Sequence, residues 1–231
     1  GTGKLVGERR LMVSGADGDR EVVARQAVVV ATGSEPIIPP MFASLHPWTS
    51  RDATGVVEVP GSIAVVGGGV VAVEAARWLA EIGADVTLLV RGDRLLERFE
   101  DFASEQVADG LRGIGVDVRL RVGVASAARL DAADTGLGRV HGGPVRLDLD
   151  GKPREFAEVL VATGRRPRVD ELGLESVGLT PEEFTRSAAR PDWLYAVGDA
   201  SGAPALTHWG KFAARLAGEA IAARAAARPV P

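Results

Sequence analysis

Residues 63–91 read IAVVGGGVVAVEAARWLAEIGADVTLLVR, and this stretch decides the fold. Its first four residues are apolar and mostly β-branched, as in a buried parallel strand. Three glycines, Gly67–Gly69, follow at once, and the next residues predict a helix over about 70–82. Residues 86–90 then supply a second apolar strand. The stretch therefore predicts a strand, a glycine-rich turn, a helix and a parallel strand.

Gly67, Gly69 and Ala72 fit the pattern G-x-G-x-x-G/A. The first glycine permits the tight turn, the second lets a phosphate approach the backbone, and the small third residue lets helix and strand pack closely. The first helical turn presents free N–H groups and a positive dipole end. The pattern predicts a site for the pyrophosphate of a dinucleotide, although the glycines would also suit a turn alone. The expected site residues are Gly67, Gly68, Gly69, Val70, Val71 and Ala72.

The end of the second strand bears on which dinucleotide binds. Units that prefer NAD carry an acidic residue there, which accepts the ribose 2′-hydroxyl. Here Arg91 occupies this region, and Arg94 and Arg98 follow it. A guanidinium suits a 2′-phosphate because its planar fork donates hydrogen bonds while it neutralises charge. We expect NADP(H) in preference to NAD(H); the alternative is that Arg91 is a solvated loop charge.

Composition excludes several classes of function. The 231 residues are 46% hydrophobic and 25% charged, as in ordinary globular proteins. A net charge of −4 gives no indication of a nucleic-acid partner, and no apolar run approaches the ~20 residues of a membrane span. The sequence has no cysteine and only three widely separated histidines, so we expect no metal site. We expect a cytoplasmic location.

Two apolar strands end in the same tripeptide. Residues 28–30 precede Ala31-Thr32-Gly33, and residues 159–161 precede Ala162-Thr163-Gly164. The two copies bracket the dinucleotide unit, which suggests a domain inserted into another, unless the recurrence is a coincidence. The predicted domains are residues 1–59, 60–162 and 163–231.

Further elements follow from pattern and turn residues. Asp150-Gly151 predicts a hairpin turn between strands at 145–149 and 156–162. Gly198-Asp199 ends a predicted strand at 193–197, and a helix is expected over 206–227. The other predicted elements are strands at 10–14, 20–31 and 116–120 and a helix at 102–113.

Four motifs resemble, in order and spacing, those of the pyridine nucleotide-disulfide oxidoreductases, a family of flavoproteins that includes glutathione reductase, mercuric reductase and lipoamide dehydrogenase. The motifs are VVVATGSEP at 28–36, VVGGGVVAVE at 65–74, VLVATGRRPR at 159–168 and YAVGDA at 195–200. The resemblance implies an α/β fold. A Rossmann-like NAD(P)-binding domain, with a parallel sheet and a β-meander, would be inserted into a partial, similar FAD-binding domain.

The resemblance also implies particular site residues. Asp199 would accept hydrogen bonds from the ribityl chain of FAD, although alone it would suit a helix cap or turn. Glu74 matches the family glutamate that pairs with a lysine near the flavin, so it is the candidate catalytic residue. Glu97 stands where NADPH-using members carry a second phosphate-binding arginine. The residues expected near FAD are Thr32, Gly33, Gly164, Arg165, Gly198 and Asp199.

The departures from the family pattern are large. The first glycine-rich motif, the redox cysteine pair and the C-terminal dimerisation domain are absent, which implies the middle of a longer protein that dimerises only with that domain. We expect a flavoprotein that passes hydride from NADPH to FAD and on to an unknown acceptor; a disulfide, a metal ion, a quinone and oxygen all fit. The alternative is an isolated NADP(H)-binding module without activity.

Overall fold

The computed structural model describes residues 1–227, so the last four residues of the expected segment 163–231 lie outside it. The chain divides into two compact units. The flanking unit comprises residues 1–35 and those from 165 onward, and the inserted unit comprises residues 36–164. This boundary differs from the expected one, since residues 36–59 belong to the inserted unit. Trp48 explains the difference, because its side chain is fully buried in the inserted unit and its backbone N–H donates to the Val159 carbonyl at 2.8 Å.

Both units contain strands and helices. The strands are β1 (Thr2–Gly7), β2 (Arg10–Gly15), β3 (Gly18–Val23), β4 (Val28–Val30), β5 (Ser34–Pro36), β6 (Ser62–Val66), β7 (Asp85–Val90), β8 (Asp117–Leu120), β9 (Val124–Arg129), β10 (Val145–Leu149), β11 (Lys152–Phe156), β12 (Glu158–Val161), β13 (Arg165–Pro167) and β14 (Leu194–Ala196). The α-helices are α1 (Pro40–Ala43), α2 (Ser50–Thr54), α3 (Val70–Glu81), α4 (Asp101–Gly113), α5 (Pro181–Thr185) and α6 (Thr207–Ala225). Short 3₁₀ helices cover Leu174–Val177, Ser187–Ala189 and Gly198–Ser201.

A four-stranded parallel sheet, in the order β12-β6-β7-β8, forms the centre of the inserted unit. Strands β6, β7 and β12 are mostly apolar and buried because both faces of the sheet are covered there, whereas the terminal strand β8 is more polar. One face packs against α3 and α4, where Ala72, Ala75 and Ala76 allow a close approach to the sheet. The other face packs against the antiparallel meander β11-β10-β9. The expected α/β class, with a parallel sheet and a β-meander, is confirmed.

The predicted hairpin is correct at its turn and wrong in its second arm. Asp150 and Gly151 both have positive φ, 52° and 83°, as a two-residue hairpin turn requires. The arm that returns is β11, a mostly polar and exposed strand, and not residues 156–162. The apolar residues after Phe156 form β12, which pairs in parallel with β6. They are all buried, because β12 is covered on both faces although it is the terminal strand of the sheet.

The flanking unit contains an antiparallel sheet, β1-β2-β3, and two short strand pairs, β4 with β14 and β5 with β13. The single strand expected at 20–31 is therefore two strands, β3 and β4. Leu5, Val30, Phe184 and Leu194 are among the buried residues of its core. Within the described part of the chain, no helix has the length and apolar character needed to cross a membrane.

Candidate functional site

Gly67 ends β6 and is required by the protein's own backbone. Its φ of 139° lies in a region that side chains rarely adopt. A Cβ at this position would lie 2.3 Å from the carbonyl oxygen of Ala162, which leaves the neighbouring strand β12. The Gly67 N–H also donates to the Leu89 carbonyl of β7 at 3.0 Å. The first glycine of the motif thus lets two strand exits approach each other.

The next two glycines differ from each other. A Cβ on Gly68 would lie 2.7 Å from Cγ1 of Val90, and the Gly68 carbonyl accepts the Leu96 N–H at 2.7 Å. Gly69 has an ordinary φ of −85°, and no atom lies within 4 Å of the position that its Cβ would occupy. The protein therefore explains the absence of a side chain at Gly68, whereas at Gly69 the space is open to a ligand.

Helix α3 begins directly after Gly69, which has no side chain to cap it. The first intrahelical bond runs from the Val73 N–H to the Gly69 carbonyl at 3.0 Å, so the N–H groups of the first turn lack intrahelical acceptors. The first turn contains no acidic residue. Ala72 is fully buried against the sheet, while Val70 is 47% exposed. The turn presents unneutralised donors and the positive end of the helix dipole, which favour an anion.

The three predicted arginines have different surroundings. Arg91 directly follows β7 and is exposed, and neither it nor the exposed Arg98 has a hydrogen-bond or ion-pair partner among residues 1–227. Arg94 is paired with Asp101 and donates to the Glu97 carbonyl at 2.8 Å. The structure therefore leaves Arg91 and Arg98 available and engages Arg94 locally.

Glu97 and Glu74 are acidic residues of the same unit. The Glu97 carboxylate lies against Gly92, where a Cβ would come within 2.1 Å of its Oε1. Glu74 is exposed in the second turn of α3 and makes no hydrogen bond or ion pair with the described residues. Its proposed catalytic function has no support in contacts within its own unit.

A second group of predicted residues meets in the flanking unit. The Ser34 hydroxyl donates to Oδ2 of Asp199 at 2.5 Å. Arg165 donates to the Ser34 hydroxyl through Nε at 2.9 Å and to the Ser34 carbonyl at 2.8 Å. Asp199 follows Gly198, whose φ is 60°, in a short 3₁₀ helix. Arg165, Ser34 and Asp199 thus form a chain of hydrogen bonds in which Oδ1 of Asp199 has no partner among the described residues.

Ser34 was missed by sequence reasoning. The signal was its place directly after Thr32-Gly33, at the exit of β4. Thr32 and Gly33 instead bind the backbone of Arg168. The Thr32 hydroxyl donates to the Arg168 carbonyl at 2.6 Å, and the Arg168 N–H donates to the Gly33 carbonyl at 2.9 Å. Gly164 is separate, since it lies in the inserted unit and accepts the Ile37 N–H at 2.9 Å.

A buried polar cluster in the inserted unit was also not predicted. The side chains of Arg129 and Glu158 are fully buried and form an ion pair. Arg129 also donates to the carbonyls of Leu45 and His141, each at 3.0 Å, and the His141 N–H donates to Glu158 at 2.9 Å. Among residues 1–227 no group of three or more histidine, aspartate or glutamate side chains is arranged to hold a metal ion.

Comparison with known proteins decides the family. The model of the pyridine nucleotide-disulphide oxidoreductase family matches residues 2–214. The chain belongs to this family. The resemblance expected from the four motifs is therefore confirmed.

Individual members show how much of the architecture is present. The chain is 33% identical to a dihydrolipoyl dehydrogenase of Halobacterium salinarum, over 98% of this chain and 49% of the relative. It is 32% identical to a glutathione reductase of Burkholderia cepacia, over 90% of this chain and 44% of the relative. The Cu(II) complex of the HOCl-induced flavoprotein disulfide reductase RclA from Escherichia coli has the same fold, with a TM-score of 0.81 at 23% identity over 94% of this chain and 48% of that one. The chain thus spans about half the length of the relatives it matches.

Proposed function

We propose that this chain is the NADP(H)-binding unit and part of the FAD-binding unit of a flavoprotein oxidoreductase that passes hydride from NADPH to FAD. The observation that carries the proposal is the open space at Gly69 in front of the free N–H groups of α3. The two glycines before Gly69 are explained by contacts with the protein, whereas the lack of a side chain at Gly69 is explained by a ligand. Pyrophosphate is an anion of suitable size and charge.

The residues of the inserted unit have distinct proposed tasks. Gly69 and the first turn of α3 bind the pyrophosphate, and Ala72 holds the helix close to β6 so that these N–H groups point outward. Arg91 and Arg98, which have no partners among the described residues, are the proposed cations for the 2′-phosphate of NADP(H). Arg94 contributes by fixing the loop through Asp101 and Glu97 rather than by direct binding.

The Asp199 cluster fits a flavin in the flanking unit. Ser34 and Arg165 orient the Asp199 carboxylate, and the remaining oxygen is able to accept a hydrogen bond from a ribityl hydroxyl. The flavin, when bound, supplies the two-electron chemistry, and the protein supplies positioning and electrostatics. The dipole of α6 favours negative charge at its N-terminus near Leu206. Glu74 stays the candidate catalytic residue, as the partner of a lysine near the flavin, and the cytoplasmic location stays a prediction.

The test of the activity is reduction of bound flavin in the full-length protein. We expect anaerobic NADPH to bleach the flavin absorbance near about 450 nm, and NADH to do so less effectively. A double variant that lacks the carboxylate and its orienting hydroxyl, Asp199→Asn with Ser34→Ala, should lose flavin on dilution. Unchanged absorbance after NADPH addition contradicts the proposed activity.

A second candidate is a binding module without activity, favoured by the coverage of only about half of each relative. Calorimetric titration of the 231-residue chain separates the two. Binding of NADP⁺ with no uptake of FAD supports the module, whereas retention of FAD supports a working flavin site in the chain itself.

A further inference from the structure

Arg121, a second arginine without a partner among the described residues, lies beside Arg91 at the carboxyl ends of the parallel strands. β7 and β8 are parallel, and the last pair in their register is Val90 with Leu120. Continuing the register by one residue places Arg121 opposite Arg91. A hydrogen bond fixes this placement, because the Arg121 N–H donates to the Gly92 carbonyl at 2.8 Å. Neighbouring strands are separated by about 4.8 Å, so the backbones of the two arginines lie next to each other.

Neither of these two arginines is neutralised by the described part of the protein. Both are exposed, and neither forms an ion pair or a side-chain hydrogen bond with residues 1–227. Arg119, two residues earlier on β8, is by contrast paired with Asp117 at 2.8 Å. Both arginines directly follow the ends of their strands, and two like charges placed close together repel each other. The pair of arginines is therefore unfavourable for the protein by itself.

The backbone at Arg121 is unfavourable as well. Its φ is 58°, in the left-handed region, where glycine is the residue without a steric cost. Charge and conformation thus both disfavour arginine at this position. Residues that break local rules in this way cluster at functional sites.

We infer that Arg121 is a specificity-determining residue that binds the 2′-phosphate of NADP(H) together with Arg91. This inference rests on the proposed function of the glycine-rich turn. A phosphomonoester dianion is recognised by two guanidinium groups, each of which donates charge-assisted hydrogen bonds. Position 97 holds a glutamate and supplies no second cation for the phosphate, and Arg121 supplies that cation instead. Arg98 belongs to the loop after β7 and lacks such a hydrogen bond to the strand end.

The experiment uses Arg121→Gly in the 231-residue chain, with Arg9→Gly as its matched control. Arg9 is half-buried and pairs with Glu8, but it also has a left-handed φ, 55°, and lies in the flanking unit, so its replacement removes the same side chain at the same kind of backbone position. Calorimetry measures the Kd of NADP⁺, NAD⁺, adenosine 2′,5′-bisphosphate and AMP. We expect Arg121→Gly to weaken NADP⁺ and the bisphosphate about tenfold, and NAD⁺ and AMP by no more than about twofold.

The controls make each outcome decisive. Arg121→Gly should keep or raise the wild-type thermal midpoint, because it removes a like charge beside Arg91 and glycine adopts the same φ without strain. Arg121→Lys, which retains the charge, should weaken NADP⁺ less than Arg121→Gly does. If Arg121→Gly leaves the ratio of NADP⁺ to NAD⁺ affinity unchanged while Arg91→Gly lowers it, the inference about Arg121 is overturned and the proposed function stands. If the wild-type chain binds neither dinucleotide, both are overturned.

Discussion

Gly67 and Gly69 are two residues apart and meet different requirements. The first has a positive φ and faces a carbonyl of β12, whereas the second has an ordinary φ and faces open space. A methyl group at Gly67 therefore collides with the protein, and a methyl group at Gly69 collides only with what binds there. The motif pattern assigns both glycines to one site, whereas the structure indicates that Gly67 is needed for folding and Gly69 for binding.

This separation predicts opposite phenotypes for two alanine substitutions. Gly69→Ala should change the free energy of unfolding by no more than about 1 kcal/mol and weaken NADP⁺ at least about tenfold. Gly67→Ala should lower the free energy of unfolding by about 3 kcal/mol, because it adds both strain and overlap. Urea unfolding and calorimetry measure the two quantities. Wild-type NADP⁺ affinity in Gly69→Ala contradicts the proposed pyrophosphate site.

The buried ion pair of Arg129 and Glu158 is the other residue-scale feature with a measurable effect. It joins β9 and β12 and also holds the backbone of Leu45 and His141. Removing one partner of a buried pair leaves an uncompensated charge, which is more costly than the pair is stabilising.

We expect Glu158→Gln to lower the free energy of unfolding by about 3–5 kcal/mol. The matched control is Glu155→Gln, which breaks the exposed pair with Arg146 and should cost less than about 1 kcal/mol. Urea unfolding monitored by tryptophan fluorescence, to which the fully buried Trp48 of the same unit contributes, reports the difference. Equal effects of the two substitutions would show that the buried pair is not a special source of stability.

At the scale of elements, α5 shows how a short helix is fixed by its own ends. Thr180 and Glu183 form a capping box: the Thr180 hydroxyl accepts the Glu183 N–H at 3.2 Å, and the Glu183 carboxylate accepts the Thr180 N–H at 2.9 Å. The Thr180 hydroxyl also donates to this carboxylate at 3.0 Å, and the hydrogen bonds from the Thr180 backbone and then from its hydroxyl hold the pKa of Glu183 below its usual value. The resulting stabilisation is present above the unfolded pKa and is lost as the pH falls through the lower, folded pKa.

Thr180→Ala should therefore raise the pKa of Glu183 towards its unfolded value. NMR titration of the glutamate side chains measures this shift directly. Glu21 is the internal control, because its pKa is lowered by Arg10 and does not depend on Thr180. A Glu183 pKa that stays low in Thr180→Ala would show that the hydroxyl is not among its causes.

Elements with a strong period and clear end signals could be predicted from the sequence. Helix α3 and strands β6 and β7 lie within a residue or so of their predicted ends, because glycines mark both ends of the helix. The second arm of the hairpin could not be predicted, since β11 is a polar strand that is held by pairing with β10. Pairing with β10, and not a pattern in its own side chains, therefore determines that β11 is a strand.

The candidate site followed the same division. The glycine turn and Asp199 carry local signatures and were predicted as site residues. Ser34 joins Asp199 only through a contact between residues 165 positions apart, and Arg121 joins Arg91 only through the pairing of β8 with β7. Residues of this kind can be assigned to a site only from the three-dimensional structure.

At the scale of the whole molecule, the flanking unit exposes large apolar side chains. Trp209, Phe212 and Leu216 are spaced on one face of α6 and are 46%, 43% and 41% exposed, and Val29 of β4 is 45% exposed. Apolar side chains grouped in this way favour binding and association.

We expect the 231-residue chain to bind a hydrophobic fluorescent dye and to self-associate as its concentration rises. Phe212→Ser with Leu216→Ser should lower both signals without lowering the unfolding midpoint, because the two side chains are exposed. Leu130→Ser, at an 80% exposed position of the inserted unit, is the control and should leave both signals unchanged. Dye fluorescence and light scattering measure the outcome, and equal signals in all variants contradict it.

The hydrogen bond between Ile37 and Gly164, which lie near the two ends of the inserted unit, has a consequence for the order of folding. The flanking unit must close a loop of 165 residues to bring Ser34 to Asp199. Once the inserted unit has folded, its ends are held together and its residues no longer count towards that loop. Taking out residues 36–164 leaves roughly a quarter of the length, and two halvings lower the entropic cost of closure by about 1.2 kcal/mol. Folding of the inserted unit therefore prepares the chain for the closure of the unit that surrounds it.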